Sequence, residues 1–337
     1  MLTRSFFAQG CAIVVAFVLF AALPVQAAEH IKIGVVRSLG GAPILVAHDR
    51  GFFKAEGLDD EIVFFDSAQP IAVAATSGDI DFGTTGMTAA FFTLANQGAL
   101  KMIGAGTWEH AGFQSIGFII SKQADAGGVK SFKDLKGRSV AITQTGTPLH
   151  YNLARVLEKY GVDLKDVRVL ALQSNPNVAS ALSGGQADGA VQTAANAYAL
   201  VNKGDAKILG WVGDELPGGQ SEATFTPTKV ANERPDTVKH FLAALRHADK
   251  VWDDAFVGPD GKRGDQAGSA DLIALAATAL QQPVEVVKPG IAYYDPQARV
   301  SLSDTQRVID WYEAQGMIKG HIDAASLIDT RYAIVAP

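Results

Sequence analysis

From residue 31 onward, short apolar runs rich in β-branched residues alternate with stretches of helical periodicity, which restricts the chain to parallel-rich sheets covered by helices. In the first unit, residues 31–36, 61–65, 80–83 and 100–104 read as strands. Pro43 opens a helix at the position where its missing N–H costs nothing, Gly51 closes that helix, and residues 68–76 form the next one. A second unit begins near Ser131. Its predicted strands are 139–142, 167–172, 189–192 and 207–211. One of its helices starts at Thr147-Pro148 and ends before Gly161, and another covers 178–183. Beyond Pro235 the pattern is mostly helical, over 237–256, 270–281 and 304–315, and is assigned to the first unit.

The two units echo one another. Residues 77–83 (SGDIDFG) and 183–189 (SGGQADG) each follow a helix and read as Ser-Gly, a short turn, then an Asp at the mouth of a small-residue strand. The apolar run 115–121 is expected to cross from the first unit to the second, and 218–227 to return. Some 310 residues exceed one ordinary core, so two lobes are expected: 28–117 with 221–337, and 118–220. The hinge is placed near Ile119-Ile120 and Gly218-Gly219.

The first 27 residues read as a cleavable export signal. Arg4 precedes an apolar run over 11–23, Pro24 breaks it, and Val25-Gln26-Ala27 suits a signal peptidase. The run is shorter than the ~20 residues of a spanning helix. Cys11, the single cysteine, falls at the start of the run, where no lipid anchor would attach, so the mature chain would be free of thiols and disulfides. It would carry 28 basic against 35 acidic residues, a net charge of −7, which offers no basic stripe for nucleic acid.

Five segments then matter together: 43–58 (PILVAHDRGFFKAEGL), 77–83, 131–140 (SFKDLKGRSV), 146–161 and 182–188. In their order and spacing they resemble the periplasmic binding proteins of the nitrate, sulfonate, taurine and thiamine-pyrimidine importers. The resemblance implies a bilobed α/β fold of the type II binding proteins, two parallel-rich sheets flanked by helices and joined by a hinge of two crossings. It further implies a small-molecule ligand held between the lobes, no cofactor, a monomer in the periplasm, and an inner-membrane ABC permease as partner.

Ligands of open parallel sheets sit beyond the carboxyl ends of the strands, where the next helices begin. Four such starts are legible: Ala42-Pro43, Gly86-Met87-Thr88, Thr147-Pro148 and Thr193-Ala194. Together they favour an anion such as a sulfonate, a taurine-like molecule or an aromatic carboxylate, with a thiamine-type pyrimidine as the alternative ligand. Arg37, directly after the first strand, is the candidate clamp for that anion, with Gly40 and Gly41 beside it. Thr85, Thr145 and Gly146 fall at the same strand ends. Trp108 and Trp211 are candidate walls, and His110, His150, Gln192, Thr193 and Glu222 candidate hydrogen-bonding groups, with Glu222 suited to an ammonium or ring N–H. An enzyme is the competing class. The seven His show no paired metal spacing, and neither a G-x-S-x-G elbow nor a P-loop is present. The resembling eukaryotic pyrimidine synthases carry a Cys-rich motif that this chain lacks.

Overall fold

The computed structural model describes residues 28–337, so the expected export signal at 1–27 lies outside the described residues. Two five-stranded sheets organise the chain. The first contains β1 (Glu29–Val36), β2 (Leu58–Phe65), β3 (Phe82–Gly86) and β4 (Leu100–Ala105). A short β5 (Thr107–Glu109) follows outside that sheet. The second sheet contains β6 (Ile116–Ser121), β7 (Ser139–Ile142), β8 (Arg168–Ala171), β9 (Gly189–Thr193) and β10 (Ala206–Trp211). The chain returns through β11 (Gly219–Gln220) and β12 (Glu222–Pro227), and β13 (Tyr293–Tyr294) lies further on. Strand order is β2-β1-β3-β12-β4 in one lobe and β10-β6-β9-β7-β8 in the other, while β11-β5-β13 form a small sheet at their junction.

Read from the β8 edge, the second sheet repeats the first. In each, two parallel neighbours flank the opening strand, and an antiparallel strand follows. The echoed turns supply the physical cause. Asp81 accepts a hydrogen bond from the backbone N–H of Lys32 at 2.8 Å, and its own N–H donates to the Lys32 carbonyl. Asp188 likewise accepts from Ser139 N–H at 2.9 Å, and its N–H donates to the Ser139 carbonyl. Each carboxylate therefore fastens the start of the opening strand to the entry of the third, and each faces a guanidinium, Arg234 or Arg138.

The expected helices form within a few residues of their predicted bounds, for example Pro148–Lys159 and Leu302–Ala314. The helix expected at 178 begins earlier, at Asn175, because Ser174 accepts from Asn177 N–H and Pro176 fits the first turn. One expectation is overturned. Residues 116–121 do not cross between lobes; they form β6, inside the second sheet, with Ile119 and Ile120 both buried, so they cannot be a hinge. The crossing lies upstream, between β5 and β6. An apolar β-rich run is worth more buried in a sheet than spent on a connection.

The first lobe packs around Phe82 and Phe241, whose rings stack at 3.9 Å between β3 and the long helix Pro235–Phe256. The second lobe buries Val140, Ile142, Leu153, Val156 and Leu157 on one face of its sheet and Val178, Leu182 and Leu200 on the other. No helix among the described residues is long and apolar enough to cross a membrane. Asp188→Ala should cost about 1–3 kcal/mol in urea denaturation, the penalty for orphaning the buried Ser139 N–H. Asp188→Asn, which keeps an acceptor, should cost less.

Candidate functional site

The lobes close on a cavity of about 80 Å³, room for several waters or a compact molecule. Its walls come from strand ends and helix starts of both lobes. The first contributes Ser38 to Gly40, Asp66 to Ala68, and Thr85-Gly86. The second contributes Thr143, Thr147 to Leu149, Asn175, and Thr193-Ala194. Thr107, Ser115, Ser221 and Glu222 enter from the junction, and Leu39, Ile116, Leu149 and Ala292 give it apolar surface. The lobes also touch around the rim. Ala89 N–H donates to the Gly146 carbonyl at 2.9 Å, and Gln69 Nε2 to the Thr145 carbonyl at 2.7 Å. The structure is therefore a closed form.

Glu222 is the dominant group in this cavity. It opens β12, opposite Gly86, and its carboxylate lies against Gly40 and Gly106. A Cβ on Gly40 would overlap Glu222 Oε1, so a larger residue there would push the carboxylate from its place. Thr107 N–H points to Oε2 at 3.5 Å. Part of Glu222 stays open to the cavity, but the surrounding protein desolvates it. That pushes its pKa up to about 7 against the lowering effect of Thr107, with the neighbouring Glu109 adding to the rise.

Glu109 is more deeply buried, at 2 % exposure. Its two oxygens accept from Ser115 Oγ at 2.6 Å and Ser221 Oγ at 2.7 Å. Burial also pushes it up to about 7, although both hydroxyls work the other way. In or beside the cavity, two further polar groups lack partners among the described residues. Thr85 Oγ1 is buried on the cavity wall, and the amide of Gln192, fully buried next to Thr193, has neither its oxygen nor its nitrogen satisfied. Buried polar groups are normally paired, so such orphans mark places where a ligand or water completes the structure.

Of the residues singled out from sequence, Gly40, Thr85, Gly86, Thr147, Thr193 and Glu222 line the cavity. The others lie elsewhere. Arg37 turns out of the cleft, donates to the Ala279 carbonyl at 3.1 Å and lies 4.0 Å over the Phe64 ring. It is a packing residue, and the expected anion clamp is absent; no Lys, Arg or His lines the cavity among the described residues. Gly41 packs on Val35, Met87 is in the core beside Tyr312, and Thr88 caps its helix by accepting from Phe91 N–H. Trp108 lies in the junction sheet and His110 against Phe113 and Tyr293.

Thr145 and Gly146 make the rim contacts described above rather than a cavity wall. His150 sits edge-on to Trp311 of the first lobe, and burial lowers its pKa to about 4, so it is a neutral lobe-to-lobe contact. Trp211 stacks on Tyr198 and covers Gly117, which makes it core. Beside these, Asn196 Nδ2 donates to Thr193 Oγ1 at 3.0 Å and holds that hydroxyl. Of the further cavity residues missed from sequence, Asp66-Ser67-Ala68 and Asn175 obey the same strand-end rule. Each follows a predicted strand and precedes a predicted helix.

The profile of the NMT1/THI5-like family matches residues 40–261. The chain belongs to the NMT1/THI5-like family. Among curated proteins, a binding protein of Brucella abortus (strain 2308) is 27% identical over 230 residues, which cover 65% of this chain and 66% of that protein. The alignment thus spans just under two thirds of the relative's length. The fold matches the alkanesulfonate-binding protein SsuA of Xanthomonas axonopodis pv. citri, with TM-score 0.71 and 20% identity over 90% of this chain and 99% of that one. It also matches the periplasmic nitrate-binding protein NrtA of Synechocystis PCC 6803, with TM-score 0.68 and 15% identity over 88% and 84%. The architecture of this NMT1/THI5-like chain is therefore the bilobed α/β fold of periplasmic binding proteins.

The raised carboxyl of Glu109 has a measurable consequence. Its folded pKa lies above the unfolded value, so the folded state holds a proton that the unfolded state has lost between about pH 4.5 and 7. Stability from this group is therefore lost as pH rises through that window, by up to about 3 kcal/mol at roughly 1.4 kcal/mol per pH unit. Urea denaturation from pH 5 to 8 should show Glu109→Gln gaining on the parent protein as pH rises. A constant difference would exclude the raised value.

Proposed function

We propose that this chain is the exported substrate-binding component of an ABC importer, a monomeric periplasmic receptor that captures a compact organic molecule between its lobes by hinge closure. The ligand presents a protonated nitrogen or an N–H to Glu222, lays an apolar or aromatic body against Leu39, Ile116 and Leu149, and directs an acceptor toward the helix starts of the second lobe. Family membership and the shared fold support the receptor role. The observation that carries the ligand class is the Glu222 carboxylate, set in the cavity against two glycines with no cationic side chain beside it. A buried carboxylate without a partner is costly, and a ligand that supplies the positive charge or donor removes that cost. A simple anion would instead bring a second negative charge against it or have to select its protonated form.

An amino- or amidine-bearing heterocycle of pyrimidine type fits this arrangement best. A taurine-like aminosulfonate is a second reading, supported by the helix starts at Pro148, Asn175 and Ala194 on the opposite wall. Their N-terminal dipole ends suit the sulfonate while Glu222 takes the ammonium. The mechanism needs only differential contact. Glu222 belongs to the first lobe and Thr147, Asn175 and Thr193 to the second, so a ligand bound to both shifts the population toward the closed form.

Thermal-shift measurements against aminopyrimidines, taurine, alkanesulfonates and nitrate test this reading. A nitrogen-bearing ligand at about 100 times its dissociation constant should stabilise the chain by about 2.7 kcal/mol. Glu222→Gln and Gly40→Ala should each abolish the effect while leaving the unliganded fold intact. Equal protection by a nitrogen-free sulfonate, lost in Gly40→Ala, would overturn the ligand class.

A further inference from the structure

A second concave site lies behind the junction sheet, outside the ligand cavity. It is an open groove of about 510 Å³ whose floor is the return crossing Gly218–Ser221 together with Trp108. One bank is the helix Pro148–Lys159 of the second lobe and the other the helix Leu302–Ala314 of the first. Two buried donors in this groove have no partner among the described residues. They are Trp108 Nε1 and Asn152 Nδ2, the latter on a side chain only 4 % exposed. Each bank adds a guanidinium. Arg155 on the second lobe pairs with Glu158 through one nitrogen, and Arg307 on the first lobe pairs with Asp304 through one nitrogen, out of five N–H donors that each carries.

Two of the carboxylates at this groove are already occupied. Asp304 takes Arg307 and the N–H of Gln220, and Glu109 takes the hydroxyls of Ser115 and Ser221. The unpartnered buried groups of the groove are both donors, with Trp108 and Leu216 offering apolar surface next to them.

We propose that this groove is a second binding site, specific for a small organic carboxylate, whose oxygens take the Trp108 indole N–H and the Asn152 amide while Arg155 and Arg307 supply charge from opposite lobes. A carboxylate held there touches both lobes and the crossing strand at once. It therefore binds one relative orientation of the lobes better than others and is coupled to closure on the main cavity.

Benzoate is the probe, used on the full chain. Indole NMR of ¹⁵N-labelled protein reads the site directly, with the Trp108 resonance assigned by Trp108→Phe. Saturable movement of that resonance with millimolar benzoate is expected, together with a rise in melting temperature. Arg155→Gln combined with Arg307→Gln should weaken benzoate binding at least tenfold. Asn152→Leu, which keeps volume and burial, should weaken it severalfold, and Glu222→Gln in the main cavity should leave it unchanged. A Trp108 resonance unmoved by 20-fold higher benzoate than the main-site ligand requires would overturn the proposal. So would a benzoate effect that survives the double Arg variant but disappears in Glu222→Gln. Neither result bears on the main-site reading, whose test uses nitrogen-bearing ligands and Gly40→Ala.

Discussion

The buried carboxylate of Glu109 is the knot on which the arrangement of the two lobes depends. It accepts one hydroxyl from Ser115, where the chain leaves for the second lobe, and one from Ser221, where it returns. Both connections are thereby held at a single point in the junction sheet, and the pivot of any hinge motion is set there. A hydroxyl-lined pocket stabilises the ionised group only in part, and desolvation keeps a proton near it at neutral pH. Glu222, next after Ser221, inherits both its position and part of its raised pKa from this neighbour. A single buried acid therefore fixes the crossings and sets the electrostatics of the ligand cavity.

Two opposing fields meet in that cavity. Helix starts on the second lobe bring partial positive charge, and Glu222 on the first lobe brings a carboxyl, its pKa raised to about 7, that no cationic side chain neutralises. Total charge says little about this, since the mildly acidic surface is far away and screened. In the proposed function, the asymmetry between walls favours a ligand with a donor at one end and an acceptor at the other. It also makes closure productive, because neither wall alone satisfies both ends.

Much of the architecture was legible in the sequence, for a physical reason. The repeated Ser-Gly turn ending in Asp is a device, and both copies perform the same task, with Asp81 on Lys32 and Asp188 on Ser139. Alternating strand and helix periodicity located the elements, and the strand-end rule found Gly40, Thr85, Thr147 and Thr193. It failed where composition and geometry diverge. Arg37 stands at the right strand end, yet its side chain finds a carbonyl and an aromatic face on the outer side. Nothing in a sequence reports which way a long side chain turns. The run 116–121 was misplaced because a buried strand and an apolar connection have the same composition. Gly106 and Thr107 reveal their role only once Glu222 is seen folded against them.

The central claim is that Glu222 is a desolvated carboxylate whose missing partner is the ligand. Carbon-13 NMR titration of its side-chain carboxyl, with and without an aminopyrimidine, tests this most directly. The account predicts an apparent pKa of about 7 in the free protein and a clear fall on ligand binding, as a donor stabilises the charged form. A free-protein value near 4.5, or one that the bound ligand leaves in place or raises, would contradict it.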